Sequence, residues 1–380
     1  MDLGTWTITE PFSACSGWGG HIAIFNRDAN NIQVAYSDQN TYKRIVRVST
    51  DGAVSWGTEK LNWEDNNCTY NQSIWSDSSY IYTVATKFID LGVGHYLNEL
   101  TLSVSTDNGS TFSDKVIYSD EWWMNATMEV YIVGNTRYIY VLFLTEGDAW
   151  YGAKLKLAIS SNNGDSWTIK DVGPFYDNAL QTQTAIDLVI IDTNTIYACT
   201  YRQNDYTNHV FYKSINGGDN WSLVQLPYMA GDDYDAVSMV CKDADNIYVL
   251  IQNNYSGTKG IYFAKSIDAG ASWNKTRLTT QFVNAYPVMQ FYNNTIFFAY
   301  IDYDTKYLTL KYSEDYGGNW NTVIVDNTET LGNYVNLSVN SSMIYIFYTD
   351  TSDNGKIAKC SLSLPISSIL MYKFRPVVLK

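Results

Sequence analysis

Residues 266–273 read Ser-Ile-Asp-Ala-Gly-Ala-Ser-Trp, and five similar segments occur elsewhere in the chain. We call this motif the box. It has Ser at the first place, Asp or Asn at the third, Gly near the fifth and Trp or Phe at the eighth. Residues 266–273 are box 5, and boxes 1 to 4 and 6 lie at 49–56, 105–112, 160–167, 214–221 and 313–320. The starts of successive copies lie between 47 residues (266 to 313) and 56 residues (49 to 105) apart. A period near 50 residues predicts a solenoid or a propeller rather than two unlike domains.

Each box is predicted to be a tight turn between two strands. The Asp or Asn side chain is expected to accept hydrogen bonds from backbone N–H groups two residues on, and the Gly to supply a positive φ. The Ser ends the incoming strand, while the Trp or Phe begins the outgoing one and buries its ring. Box 1 has its Gly one place early, at Gly52, so its turn is expected to differ slightly.

Short runs of β-branched and aromatic residues surround every box. Runs at 155–159 and 261–265 directly precede a box, and those at 138–144 and 247–251 lie one strand earlier. Such runs, spaced 8 to 12 residues apart without helical periodicity, predict an all-β protein. Three strands precede each box and one follows it, which is the composition of a four-stranded antiparallel propeller blade.

The blade count is seven, because a three-strand set at about 333–362 follows the last box. It has no fourth strand of its own, but Gly4-Thr5-Trp6-Thr7-Ile8 resembles the end of a box with its outgoing strand. We therefore expect the N-terminal strand to complete the last blade and remove its exposed edge. The alternative is that residues 369–374 fill this place. The predicted domain is one seven-bladed β-propeller over 1–363, followed by a basic tail at 364–380.

The charge balance excludes several classes of partner. The 380 residues include 39 Asp and Glu against 25 Lys and Arg, a net charge of −14. Nucleic acid needs a basic surface to replace its counterions, and anionic lipid needs the same, so neither is expected as a partner. The chain contains no run of 18 apolar residues, so membrane insertion is not predicted. The first residues lack the basic and apolar regions of a signal peptide, so none is expected.

No cofactor and no metal are expected. His21, His95 and His209 are too scattered for a metal site or a Ser-His-Asp array, and the five cysteines lack metal-ligand spacing. No glycine-rich phosphate loop leads from a strand into a helix. Cys15 and Cys68 both fall in predicted loops, where a disulfide between them is an open alternative.

The six boxes resemble the Asp-box (BNR) repeats of the sialidase-type β-propeller superfamily, and the resemblance covers essentially the whole chain. It implies that the boxes join the third and fourth strands of their blades, on the face away from the functional site. It indicates the fold better than the activity, because the superfamily includes sialidases, other glycosidases, lectin-like modules, protein receptors and assembly factors. A metal-binding role for the box residues is the weaker alternative, since they belong to different blades. The residues with an implied structural role are Asp51, Asp107, Asn162, Asn216, Asp268 and Asp315.

The resemblance also states what a sialidase would require. Three arginines on one face hold the carboxylate of the substrate, beside a Tyr–Glu nucleophile pair and an Asp acid/base. The chain has seven arginines, and Arg375, in Phe374-Arg375-Pro376, only faintly matches the family's Arg-Ile-Pro element. No triad is found, so sialidase activity is not expected. The predicted places are first–second strand turns for Arg27 and Arg137, a third strand for Arg44 and Arg47, a fourth strand for Arg277 and a loop for Arg202.

We define the loop face as the connections between the second and third strands of each blade and between one blade and the next. The box face is the opposite set of connections. Aromatic rings stand beside carboxylates and amides on the loop face, which suits sugars, because C–H groups pack on rings while hydroxyls form hydrogen bonds. Such rings also suit a protein epitope, or can fill the central channel or cover a blade. The candidate binding residues are Trp18, Trp63, Trp122, Trp123, Trp150, Tyr151, Tyr176 and Tyr228.

Carboxylates on the same face are the candidates for glycosidase chemistry. A glycoside hydrolase needs two of them about 5–9 Å apart across the bond to be cleaved. The pair Asp232 and Asp233 can equally be a solvated loop pair. The candidates, if the protein is an enzyme, are Glu64, Glu121, Asp232 and Asp233, with Arg202 as the cation.

Three hypotheses of function follow. The first is a non-catalytic recognition module that binds a glycan or a protein through the loop face. The second is a glycoside hydrolase or lyase using the same face, and the third is an intracellular assembly scaffold. A composition rich in Asn, Tyr and Ile is typical of virus or phage surface proteins. The tail carries Lys373, Arg375 and Lys380 without an acidic residue, so it either docks on a partner or packs as an outer strand.

Overall fold

The computed structural model describes residues 1–13, 15, 22–38, 43–60, 73–92, 95–121, 124–145, 154–174, 186–202, 208–227, 237–253, 257–280, 287–328 and 331–363. Within these ranges the secondary structure consists of β-strands β1 to β28 in antiparallel pairs, which confirms the all-β class. No helix in them is long and apolar enough to cross a membrane. The described residues form two compact units, one from 1–119 with 287–363 and the other from 120–280.

The first unit contains blades 1, 2, 6 and 7, numbered in chain order. Blade 1 consists of β3 (Ala23–Asn26), β4 (Ile32–Ser37) and β5 (Arg44–Ser49), with an isolated bridge between Val46 and Lys60 beside β5. Blade 2 consists of β6 (Ser73–Ser76), β7 (Ile81–Gly92), β8 (His95–Ser105) and β9 (Ser113–Asp120). Blade 6 consists of β22 (Val288–Tyr292), β23 (Thr295–Ile301), β24 (Leu308–Ser313) and β25 (Asn321–Asp326).

The second unit contains blades 3, 4 and 5, each with four strands in chain order. Blade 3 consists of β10 (Met124–Val133), β11 (Thr136–Thr145), β12 (Lys154–Ser160) and β13 (Thr168–Pro174). Blade 4 consists of β14 (Ile186–Ile190), β15 (Ile196–Arg202), β16 (Asn208–Ser214) and β17 (Ser222–Gln225). Blade 5 consists of β18 (Val237–Cys241), β19 (Ile247–Asn253), β20 (Gly260–Ser266) and β21 (Asn274–Arg277).

The last blade is completed by the start of the chain. Its own strands are β26 (Leu331–Val339), β27 (Met343–Asp350) and β28 (Gly355–Ser363). The short β1 (Asp2–Leu3) and β2 (Thr7–Phe12) both pair with β28, in the registers Leu3 to Leu362 and Thr7 to Lys359. The predicted N-terminal closure is therefore confirmed, and the alternative strand at 369–374 lies outside the described residues. The seven sheets are the blades of a β-propeller, as predicted.

Apolar side chains of adjacent sheets form the cores of the two units. In the first unit Phe12 of β2 packs with Tyr36 of blade 1 and Phe347 of blade 7. In the second unit the Tyr197 and Phe211 rings of blade 4 lie in one cluster with apolar residues of blade 5. Cys15 is a buried free thiol whose pKa burial raises, so the structure does not have the alternative Cys15–Cys68 disulfide.

Every box joins the third strand of its blade to the segment that follows, and all six share one hydrogen-bond pattern. The first-place Ser hydroxyl donates to the third-place side-chain oxygen at 2.7–3.0 Å. It accepts the fifth-place N–H at 2.8–2.9 Å. The third-place oxygen also accepts the seventh-place N–H at 2.8–3.0 Å. The box is thus closed by its own side chains.

Two details of the predicted box turn were wrong. The third-place side chain bonds to the N–H four residues on, not two, because two successive residues with left-handed backbone curl the chain back. The φ values are 57° at Ala269 and 85° at Gly270. Box 1 was expected to differ, yet Gly52 and Ala53 have φ values of 72° and 60° and give the same turn. Asx turns that reach two residues on occur at first–second strand turns, as at Asp28.

The fifth-place Gly of a box packs closely against the third strand of the preceding blade. A Cβ on Gly270 would lie 2.2 Å from Cε1 of Phe211, and one on Gly109 would lie 2.7 Å from Cγ2 of Val48. A lysine reinforces the contact between blades 3 and 4, because Lys170 Nζ donates to the Gly217 carbonyl at 2.8 Å. In these blades the box therefore fixes the turn and also the contact between neighbouring blades.

Candidate functional site

The strand order fixes which connections belong to the loop face. Because the strands of each blade are antiparallel, second–third connections and those leading to the next blade share one end of that blade. The boxes, which follow third strands, lie at the opposite end, as the resemblance implied. This gives each candidate residue a defined connection.

Most of the predicted binding and catalytic residues lie outside the described residues, so their roles stay predictions. The strands on either side still assign their segments to loop-face connections. Residues 146–153 connect β11 to β12, for example, and 175–185 connect β13 to β14. The residues concerned are Trp18, Trp63, Glu64, Trp122, Trp123, Trp150, Tyr151, Tyr176, Tyr228, Asp232 and Asp233.

Two of the catalytic candidates fall at described strand ends. Glu121 is exposed and directly follows β9, at the loop-face end of blade 2. Arg202 is the last residue of β15 and pairs across the strands with Asn208. Both positions agree with the predicted loop face, and the other catalytic candidates lie outside the described residues.

Exposed aromatic rings of the described residues lie on the loop face. Tyr96 is 44% exposed and Tyr303 is 48% exposed. Tyr96 lies near the tip of the long β7–β8 hairpin and stacks on Phe88 with ring centroids 4.8 Å apart. Leu91, at the same tip, is 62% exposed. The hairpin therefore presents a supported aromatic ring and an aliphatic side chain to solvent.

Tyr303 belongs to the second–third strand connection of blade 6. The ammonium of Lys306 lies 4.0 Å from the centre of its ring, a cation–π contact. Asp302, beside it, accepts backbone N–H bonds from Asp304 and Thr305 at 3.1 and 2.9 Å, which shapes the turn. The sequence prediction missed Tyr303, although it follows an acidic residue in a loop-face connection, as Tyr206 does after Asp205.

A buried polar group at the loop-face end of blades 6 and 7 was also missed. Tyr348 Oη donates to Asp326 Oδ2 at 2.7 Å, and Thr328 bonds to the other carboxylate oxygen through its N–H and hydroxyl. Burial alone would raise the pKa of Asp326, but the bonds from Thr328 and Tyr348 and the charge of Lys356 hold it below its ordinary value. Tyr348 is fully buried and Asp326 is 2% exposed, so this pair is closed to a substrate.

Lys356 ties the same region to the start of the chain. Its side chain is 2% exposed, and Nζ lies 2.8 Å from Oε1 of Glu10 in β2. The group of Asp326, Tyr348 and Lys356 therefore stabilises the closure of the last blade. Nothing in the sequence pattern marks these residues, because they come from three different strands or strand ends.

Two arginines lie at first–second strand turns, on the box face. Arg27 lies in the β3–β4 turn on the box face, where Nη1 donates to the Asp77 carbonyl at 2.8 Å. Arg137 pairs with Ile132 across the β10–β11 hairpin, also at the box-face end. Both places agree with the sequence prediction.

Three further arginines are held by contacts within blades 1, 2 and 5. Arg44 is fully buried and donates to the Thr83 hydroxyl. Arg47 forms an ion pair with Glu59. Arg277, in β21, donates to backbone carbonyls, including that of Thr279 at 3.1 Å. Arg27 and Arg137 lie on the box face, and the three arginines above are held by contacts within the blades. Two of the seven arginines remain, Arg202 and Arg375, which is one fewer than a triad needs.

Metal-binding clusters and titratable groups give no second candidate in the described part of the chain. No group of three or more His, Cys, Asp or Glu side chains is placed there to hold a metal. The carboxylates of the boxes are occupied by their own turns. Hydrogen bonds, first of all from Ser272, lower the pKa of Asp268 to about 2. Those from Thr111 do the same for Asp107.

Comparison with solved structures shows a sialidase-like propeller fold. Hadza microbial sialidase Hz136 is 13% identical, with a TM-score of 0.52 over 87% of this chain and 73% of that one. The phage phi92 endosialidase is 10% identical, with a TM-score of 0.53 over 98% of this chain and 70% of that one. A mutant Aleuria aurantia lectin AAL in complex with Fucα1-6GlcNAc is 14% identical, with a TM-score of 0.53 over 84% and 98%. No family model and no curated protein matches the sequence.

Proposed function

We propose that the chain is a non-catalytic recognition module that binds a glycan through its loop face. One observation supports this above all. Tyr96 and Tyr303, the exposed tyrosines among the described residues, both lie on that face. Exposed rings are where the C–H face of a sugar packs. The predicted tryptophans and tyrosines of the remaining loop-face connections would extend the same surface.

The fold and the arginine distribution favour recognition over sialidase turnover. Structural neighbours of this fold include sialidases, an endosialidase and a lectin, so the scaffold is compatible with glycan binding as well as with hydrolysis. A carboxylate-bearing substrate needs several guanidinium groups around it. The chain has too few arginines left for that role, so we do not propose sialidase chemistry.

A glycoside hydrolase of another type is the second candidate. Glu64, Glu121, Asp232 and Asp233 belong to loop-face connections, where paired carboxylates can supply an acid and a base. A protein partner is the third candidate for the same surface, because exposed aromatic residues also anchor protein interfaces. Exposure on a virus or phage particle would suit either kind of recognition, and the tail at 364–380 remains a proposed docking segment.

The test combines binding with turnover on the full chain. A glycan array identifies the ligands, and a panel of chromogenic glycosides, followed by mass spectrometry of the array ligands, detects cleavage. We expect binding without turnover. Turnover that is lost in Glu64→Gln or Asp233→Asn would establish a hydrolase and contradict the proposal.

A matched pair of variants tests the assignment to the loop face. Tyr96→Ala and Tyr303→Ala should each weaken glycan binding by about tenfold if the ring stacks on sugar. The control is Val133→Ala, which truncates a side chain 47% exposed near the β10–β11 turn on the box face. Equal losses in all three variants, or no loss in either tyrosine variant, would contradict the proposed surface.

A further inference from the structure

A groove of 560 Å³ opens on the box face of the second unit, between blades 4 and 5. One wall is formed by β16, box 4 and β17, and the other by box 5. The volume lies within the range of small-molecule sites, about 300–1,000 Å³. The groove is separate from the loop face, because both boxes lie at the opposite end of their blades.

Boxes 4 and 5 carry an apolar residue at the second place, and that of box 4 lines the groove. The second place of the box is Ile215 in box 4 and Ile267 in box 5, and these side chains are 70% and 65% exposed. The other four boxes carry Thr, Ser or Glu at this place. Ile215 lines the groove together with Trp221, half-buried, and Val224. An aliphatic side chain thus faces solvent at a place where the other four boxes are polar.

The polar part is specific to box 4. In boxes 1, 2, 3, 5 and 6 the third-place and seventh-place side chains bond to each other, as Asn162 Nδ2 does to Ser166 Oγ at 2.9 Å. Box 4 has Asn216 and Asn220 at these places, and among the described residues no hydrogen bond joins the two side chains. Asn216 Oδ1 accepts the Asn220 N–H at 2.9 Å. Its Nδ2 and the Asn220 amide remain for a ligand, and both residues are exposed and line the groove.

The two charged groups of the groove, Lys213 and Asp268, both form contacts within the protein. Lys213 Nζ donates to the Ala269 carbonyl at 3.3 Å and lies 5.9 Å from the centre of the Tyr197 ring. The Asp268 carboxylate accepts bonds from Ser266 and Ser272 of its own box. The lining carries one positive and one negative charge, those of Lys213 and Asp268, so it has no net charge to attract an ionic ligand. A neutral ligand meets the Asn216 Nδ2 donor and the Asn220 amide, which both donates and accepts.

We infer that this groove binds a neutral saccharide. The C–H face of a sugar ring would pack on Trp221 and Val224, with Ile215 at the edge, and its hydroxyl groups would bond to the amides of Asn216 and Asn220. A sugar that carries a carboxylate is disfavoured, because the Asp268 carboxylate in the lining repels it and offsets the attraction of Lys213. The site is independent of the loop-face proposal, since it uses other residues at the other end of the blades.

The test is calorimetric titration of the full chain with lactose, maltose and cellobiose as neutral probes and with sialyllactose as the acidic probe. We expect at least one neutral disaccharide to bind with a millimolar or lower Kd. The double variant Asn216→Asp with Asn220→Ser reproduces the Asp–Ser pair of box 5, so it restores the missing cross-box bond and is expected to fold. It should weaken neutral-sugar binding by about tenfold or more, because both free amides are lost.

Asn162→Asp is the matched control, because it makes the same Asn-to-Asp change in box 3 and creates the same Asp–Ser pair. It should leave neutral-sugar binding unchanged. Three results would overturn the inference: no neutral probe binds, the double variant binds as the wild type does, or sialyllactose binds as tightly as lactose in a manner lost in the double variant. Loss of loop-face binding alone would not affect it.

Discussion

Gly270→Ala tests the role of the boxes as contacts between blades. Gly270 has a φ of 85°, and a Cβ there would lie 2.2 Å from Cε1 and 2.9 Å from Cδ1 of the buried Phe211 ring. The left-handed backbone of a non-glycine residue costs about 1–2 kcal/mol, and overpacking a filled core adds about 1–3 kcal/mol. We therefore expect Gly270→Ala to lower the free energy of unfolding by about 2–5 kcal/mol.

Gly134→Ala is the control, since Gly134 has a φ of 58° and no atom within 4 Å of its Cβ position. It should show only the backbone cost, about 1–2 kcal/mol. The assay is urea unfolding of both variants beside the wild type, followed by intrinsic fluorescence. Phe211→Leu combined with Gly270→Ala should lose less stability than the two single losses added together, because the ring no longer opposes the Cβ. Equal losses at Gly134 and Gly270, or full additivity with Phe211→Leu, would refute the packing argument.

Burial lowers the pKa of His209 from 6.5 to about 3, so the unfolded chain binds a proton that the fold excludes, and stability falls as pH falls below 6.5. His209→Gln should remove about 1.4 kcal/mol of this loss per pH unit, measured by urea unfolding at pH 7 and 4.5. The control is His95→Gln, at an exposed histidine. A variant whose stability keeps the pH dependence of the wild type would contradict the prediction. Hydrogen bonds lower the pKa values of Asp107 and Asp268 from 3.8 to about 2. The two carboxylates therefore stabilise the fold above pH 3.8, and this stability is lost as the pH falls towards 2. Asp268→Asn, which gives box 5 the residue of boxes 3 and 4, should thus lose less stability than the wild type between pH 4 and 2. An equal loss would contradict the box hydrogen bonds. Deletion of residues 1–12 should leave the outer edge of β28 unpaired and cause aggregation or a lower Tm. An unchanged Tm without aggregation would contradict the closure.

The fold was predictable because the box repeats a local rule. A Ser, an Asp or Asn and a Gly at fixed places set a turn with positive φ, and the turn residues do not depend on distant contacts. The same local rule located the completing strand, since Gly4 to Ile8 repeats the end of a box. The span of the box hydrogen bond was mispredicted, because two left-handed residues in succession, such as Ala269 before Gly270, cannot be inferred from the Gly alone.

The candidate site was predictable only as a set of connections. Antiparallel strand order assigns Glu121, Arg202 and Tyr96 to the loop face from sequence alone, because the connection type follows from counting strands. The pairing of Tyr348 with Asp326 was not predictable, since it depends on the packing of blades 6 and 7. The same is true of the groove beside box 4, where the missing bond between the side chains of Asn216 and Asn220 becomes evident only by comparison with the other five boxes.

A crystal structure of the protein with the glycan that the array selects tests the recognition claim most directly. We predict an intact glycosidic bond and a sugar ring packed on loop-face aromatic residues, with Tyr96 or Tyr303 among them. A cleaved glycan, or a ligand that contacts neither tyrosine nor any loop-face connection, would contradict the claim.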